Sequence, residues 1–160
     1  MKINKTNAAR ILDRLAIPYE LIPYKVDEED LGAKHIAEQL GEDICQVFKT
    51  LVLKGDRNGY FVCVLPGNAE IDLKKAAHCF QDKKCDLIPL KDLLPLTGYV
   101  RGGCSPVGMK KNLPTLIHES SLIYGTIYVS AGVRGLQLKL SSSDLIRACN
   151  AIPCDLICDR

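Results

Sequence analysis

Apolar residues recur at helical spacing in several separated stretches of this chain, and in short runs or alternation between them. Behind Thr6, which can cap a first turn, Ala8, Ile11, Leu12 and Leu15 share one helical face, and Ile17-Pro18 ends the pattern. Residues 19–24 read as extended. A second helix is predicted over residues 31–40, with Ala33, Ile36, Ala37 and Leu40 on one face and Gly41 just past its end. Asp43 can cap a short helical turn through Ile44, Val47 and Phe48.

Thr50-Leu51-Val52-Leu53-Lys54 and residues 60–65 are two apolar runs separated by Gly55-Asp56-Arg57-Asn58-Gly59, which predicts a β-hairpin. Asp72 can cap a helix bearing Leu73, Ala76, Ala77 and Phe80; Cys85-Asp86-Leu87-Ile88 follows as a short strand and residues 89–94 as a brief helix. Further strands are predicted at Thr115-Leu116-Ile117-His118, Thr126-Ile127-Tyr128-Val129-Ser130 and Leu136-Gln137-Leu138-Lys139-Leu140; the alternation in the last predicts one wet face. Ser141 to Asp144 start a helix with Leu145, Ile146 and Cys149, and Asp155-Leu156-Ile157-Cys158 is read as a closing strand. Hairpins interspersed with helices imply an α+β domain around a mixed, mainly antiparallel sheet.

A length of 160 residues at 47% hydrophobic content fits one domain, 1–160, able to bury a proper core. The first residues lack the apolar segment of a leader, and charges interrupt every later apolar run short of membrane-spanning length, so the expectation is a cytoplasmic protein with no membrane partner. The eight cysteines then read as reduced thiols. Cys149, Cys154 and Cys158 form the one cluster that invites a metal, but it lacks a second knuckle, and no metal or cofactor is expected. A net charge of +2 is too small for avid nucleic-acid binding by charge alone.

Chemistry concentrates in residues 98–111. Four glycines and Pro106 in that stretch make it a loop able to aim backbone N–H groups at an anionic or ester group, or else a long connection without a ligand. Lys49 enters a buried strand, where it either snorkels outward or is held at a site with its pKa lowered by desolvation. Arg134, at the tip of the turn Ser130-Ala131-Gly132-Val133-Arg134-Gly135, could meet a phosphate bidentately or be an exposed turn residue. Cys104 could be a nucleophile or a small filler. His35, His78 and His118 show no paired ligand spacing, and neither a nucleophile elbow nor a phosphate-binding P-loop is present.

With Phe48-Lys49-Thr50-Leu51, the loop from Thr97 to Gly108 and the turn from Ile127 to Leu136 in that order, the chain resembles the YbaK/EbsC family over nearly its whole length. These are free-standing relatives of the editing domain inserted in bacterial prolyl-tRNA synthetases. The resemblance implies a partly barrel-like sheet with helices packed around it and an aminoacyl-tRNA deacylase that edits in trans. Its implied substrate is cysteine mischarged on tRNA(Pro), released by attack of the substrate's own thiol. The implied partners are the 3′-aminoacyl-adenosine end of mischarged tRNA and a prolyl-tRNA synthetase, with no DNA. Lys49 matches the residue most tied to activity, and Gly102, Gly103, Ser105 and Pro106 match the loop that holds the ester and terminal adenosine. Tyr24, Thr50, Ser130, Gly132 and Arg134 are further substrate-binding candidates. Lys25-Val26 replaces a histidine-containing pattern after Tyr24, and Gln137 stands where some relatives have an acidic residue. The rival readings are an Ala-tRNA(Pro) hydrolase using a positioned water, a thiol hydrolase using Cys104, and a non-catalytic module binding RNA ends or a regulatory protein.

Overall fold

The computed structural model describes residues 4–159; residues 1–3, which begin the segment read as lacking a leader, and residue 160 lie outside them. Helix α1 (Asn7–Arg14) starts where Thr6 accepts the Ala9 N–H at 3.2 Å and buries Ala8, Ala9 and Leu12. Strand β1 (Glu20–Pro23) leads to α2 (Ala33–Leu40), which Gly41 ends in the left-handed conformation at φ 68°. Asp43 caps a 3-10 turn at Ile44–Gln46. The hairpin forms as β2 (Phe48–Gly55) and β3 (Tyr60–Pro66), with Lys49 opposite Leu65 and Lys54 opposite Tyr60. Helix α3 (Leu73–Cys79), capped by Asp72, β4 (Cys85–Leu87) and α4 (Leu93–Thr97) precede the glycine loop. After it come β5 (Thr115–His118), β6 (Thr126–Ser130), β7 (Leu136–Ser141), α5 (Ser142–Cys149) and β8 (Ile152–Cys154).

The strands make two sheets, ordered β1-β7-β6 and β4-β2-β3-β5-β8, whose pairings are antiparallel except β3 with β5 and β5 with β8. A parallel bridge between Val47 and Tyr128 joins them, and they do not close into a barrel. Strand β3 explains the layering. Its alternate residues face opposite ways: Val62 and Val64 pack with α1, β6, β7 and α5, whereas Phe61, Cys63 and Leu65 pack with Ala76 and Ala77 of α3 and Leu156 of the C-terminal segment. All five are essentially inaccessible, and each large side chain buried this way contributes about 1.5–3 kcal/mol.

Two expectations are corrected. The closing strand is Ile152–Cys154, whose parallel pairing with β5 no local pattern announces; residues 155–158 form only an isolated antiparallel bridge, Ile157 with Ile71, with the Cys158 N–H donating to Glu70 O, the Asp72 N–H to Leu156 O and the Leu156 N–H to His118 Nδ1. Strand β7 has no wet face at Gln137, which is 2% exposed. Helix α2 covers that side of the small sheet, packing Ile36 and Ala37 against Tyr128.

Candidate active site

The site begins at an unpaired strand edge. Strand β4 pairs only with Leu53 to Gly55 of β2, and β6 reaches only the bridge at Val47 just before β2, so among the described residues the stretch around Thr50 has no strand neighbour on that side. Gly55 donates its N–H to Gly59 in the hairpin turn, and Val52 O accepts from Ile88 on the other side. By the two-residue alternation of a strand, the N–H and C=O of Thr50 also point to the open edge. Against this edge lies a cavity of about 450 Å³, walled by Leu31 to Ala33 and Ile36 on one side, by Leu87 to Leu90 and Leu93 on another, and by Arg101, Gly102, Cys104, Ser130 and Gln137 at the loops.

Lys49 is half-buried in that wall. Its Nζ donates to Ala69 O at 2.7 Å and reaches Gly67 O at 3.5 Å, and burial lowers its pKa below that of an ordinary lysine, with nearby Glu70 acting in the opposite direction. Two carbonyls hold the ammonium without neutralising it. Two side-chain oxygens on the cavity wall are buried without a hydrogen-bond partner among the described residues: Thr50 Oγ1 and Gln137 Oε1. An orphaned buried acceptor costs about 1–3 kcal/mol. Both are therefore expensive to the fold and available to a ligand.

The glycine loop is rigid for local reasons. Thr97 Oγ1 donates to Leu93 O and accepts the Tyr99 N–H, and the buried Tyr99 hydroxyl donates to Val107 O. Gly102 takes φ 82°, and a Cβ on Gly103 would stand 3.1 Å from the backbone of Val133 and Arg134, so only glycine lets the loop lie on the neighbouring turn. The Gly103 N–H is taken up by Val100 O, while those of Gly102 and Cys104 have no partner among the described residues. Burial pushes the Cys104 thiol up to about 12, which leaves it protonated and a poor nucleophile near neutral pH.

The candidates therefore divide. Lys49, Thr50, Gly102 and Ser130 line the one cavity. Gly103, Ser105, Pro106, Gly132, Arg134 and Tyr24 stand behind or beside it. Ser105 Oγ accepts the Val107 N–H, Pro106 O accepts the Cys149 thiol at 3.4 Å, and the Gly132 N–H donates to Ser130 Oγ at 3.1 Å. Arg134 Nε donates to Arg101 O at 2.8 Å, and Tyr24 packs against the α2 cluster while its N–H binds Gly135 O. Arg101, Gln137 and the apolar wall at Leu87, Ile88 and Leu90 were not among the expected site residues. Alternation along the strand gives no sign that Gln137 is buried; the one sequence signal at that position is the acidic residue of some relatives. The three C-terminal cysteines do not converge: Cys149 faces Pro106 and Cys158 donates to Ile71 O.

Comparisons with known proteins agree on one family. Residues 28–148 match the model of the aminoacyl-tRNA editing domain. The chain is 44% identical over 146 residues, 91% of its length and 89% of the relative's, to EbsC of Enterococcus faecalis, provisionally named a Cys-tRNA(Pro)/Cys-tRNA(Cys) deacylase. It is 35% identical over 78 residues to a proline–tRNA ligase of Fervidobacterium nodosum, covering 49% of this chain but 13% of that one. A solved structure provisionally described as a trans-editing enzyme for prolyl tRNA synthetase shares the fold, with a TM-score of 0.84 over 98% of this chain and all of the other at 22% identity. Among the described residues no helix is long and apolar enough to cross a membrane.

Proposed function

The chain belongs to the aminoacyl-tRNA editing domain family, and on that premise we propose that it is a single editing domain that removes cysteine from mischarged tRNA(Pro) in trans. The observation that supports this reading is the make-up of the cavity wall. Its ionisable side chains are Lys49, Arg101 and Cys104, with no histidine or carboxylate to serve as a general base. A catalyst so equipped suits a substrate that carries its own nucleophile.

In this reading the aminoacyl-adenosine fills the cavity, whose volume lies in the range of small-ligand sites. The cysteine thiol loses its proton and its sulfur attacks the ester carbonyl. A C–S bond forms, the bond from carbonyl carbon to the 3′ oxygen breaks, and the proton ends on that oxygen, releasing tRNA and a cyclic thiolactone that water later opens. The free N–H groups of Gly102 and Cys104 stabilise the developing oxyanion, and the ammonium of Lys49, held by Ala69 O, adds positive charge beside it. Holding sulfur and carbonyl together supplies much of the rate by proximity. Thr50 Oγ1 and Gln137 Oε1 accept from the α-amino group, which fixes the ester's orientation. Ser105, Pro106 and Gly132 hold the loop and turn in place. Association with prolyl-tRNA synthetase supplies the tRNA affinity that a net charge of +2 lacks.

The test is a substrate with its nucleophile blocked. Cysteinyl-tRNA(Pro) is expected to be deacylated rapidly with thiolactone as the first product, and S-methylcysteinyl-tRNA(Pro) to decay at the spontaneous rate. Comparable cleavage of both would replace cyclisation by attack of an enzyme-positioned water.

A further inference from the structure

A cavity of about 450 Å³ holds one nucleoside and its amino acid, so a polynucleotide bearing them must leave through the mouth. Two arginines meet at one side of it. Arg134 Nε donates to Arg101 O at 2.8 Å, which ties the turn between β6 and β7 to the glycine loop. Gly102 between them packs so closely that a Cβ there would meet Arg134 Nε and the methyl groups of Leu31 at 3.3 Å. Arg101 is exposed and lines the cavity; Arg134 keeps its two terminal nitrogens free of any hydrogen bond or ion pair among the described residues.

The acidic run at residues 27–30, next in sequence to Leu31, does not neutralise them. Asp27 and Asp30 accept backbone N–H groups of Glu29 and Gly32, and among the described residues none of the four acidic residues forms an ion pair with either arginine. Elsewhere on the surface, by contrast, Arg147 pairs with Asp144 and Lys75 with Asp155 and Asp159. Two unpaired guanidiniums on a fixed backbone, beside the exit of a nucleoside-sized cavity, match a phosphodiester, which a planar fork can meet with parallel hydrogen bonds.

We propose that Arg101 and Arg134 form a phosphate clamp at the cavity mouth that grips the phosphodiester immediately 5′ of the terminal adenosine. The clamp lets the enzyme distinguish an ester on an RNA chain from the same ester on free adenosine. It rests on the deacylase reading for the identity of the cavity's occupant. The leucines at the opposite lip, Leu87 and Leu90, 50% and 61% exposed, give the preceding base an apolar surface to lie on.

The experiment compares two non-hydrolysable probes, 3′-cysteinylamido-3′-deoxyadenosine and the same unit carrying a 5′-linked cytidylate, by titration against wild type and Arg101→Ala. Wild type is expected to bind the dinucleotide about 5–10-fold more tightly than the nucleoside, with the difference shrinking as salt rises. In Arg101→Ala that ratio falls toward one, and Arg134→Lys, which keeps the charge but not the fork, retains part of it. An unchanged ratio in Arg101→Ala overturns the clamp, whether or not both affinities drop together. If wild type binds neither probe, the occupant assumed for the cavity is wrong and the clamp falls with it; binding of the nucleoside with no gain from the phosphate defeats the clamp alone.

Discussion

Lys49 on β2 and Lys75 on α3 show two uses of a cation. Lys75 is gathered by Asp155 and Asp159 at 2.9 Å each and by Ile157 O at 2.8 Å, and these partners raise its pKa. Around it everything is matched: Asp155 lies 3.8 Å from the buried His118, which accepts the Leu156 N–H, and Phe61 stacks on Phe80 at 4.0 Å. Among the described residues Lys49 has only carbonyls as hydrogen-bond partners and a lowered pKa, and it shares its cavity with two orphaned oxygens, free loop amides and an arginine without an ion pair. Satisfied polar groups fasten the C-terminal segment to α3; the unsatisfied oxygens of Thr50 and Gln137 lie together on the cavity wall, whereas those of Ser120 and Ser121 lie outside its lining.

Exchanging the two lysines for alanine breaks this comparison most sharply. Lys49→Ala is expected to lower kcat/KM for cysteinyl-tRNA(Pro) by about 10²–10³-fold, the range for losing one oxyanion-stabilising group, while the melting temperature holds or rises. Lys75→Ala should do the reverse, lowering the melting temperature and leaving deacylation within about twofold. The pH profile carries the same sign. The active form of Lys49 is its ammonium, so kcat/KM should fall as pH rises through a value below the ordinary lysine 10.5, after rising with ionisation of the substrate thiol near about 8.5. Matched losses of stability and activity in both variants would erase the distinction.

A smaller effect sharpens it. Gln137→Leu removes a buried acceptor without a partner, so denaturant unfolding should show stability unchanged or higher by up to about 1–3 kcal/mol. Deacylation should nonetheless drop about tenfold, through KM if the oxygen only binds the substrate. A loss of stability would mean that Gln137 serves the fold and not the ligand.

Much of this was legible in the sequence because it is local. Thr6, Asp43, Asp72 and Ser141 cap the helical segments they precede, Gly41 ends α2, and the glycine-rich turn joins β2 to β3. What sequence misses is decided by partners far along the chain. The parallel pairing of β8 with β5 and the cover that α2 lays over Gln137 are of that kind. The motifs carried by the family resemblance drew Lys49, Thr50, Gly102 and Ser130 to one cavity. They did not mark Arg101 or the leucine lip, whose place on the cavity wall depends on which strand edge is left open by the shortness of β4.

In the function proposed above, the open edge of β2 and the glycine loop form a deacylation site selective for cysteine. Its most direct measurement follows loss of the amino acid from cysteinyl-, alanyl- and prolyl-tRNA(Pro), and from cysteinyl-tRNA(Cys), with wild-type protein. Rapid removal of cysteine from tRNA(Pro) is expected, with alanine and proline lost only at their spontaneous rates; cysteinyl-tRNA(Cys) reports whether the chain or a partner selects the tRNA. Faster loss of alanine than of cysteine, or no ester cleaved above its spontaneous rate, would contradict that function.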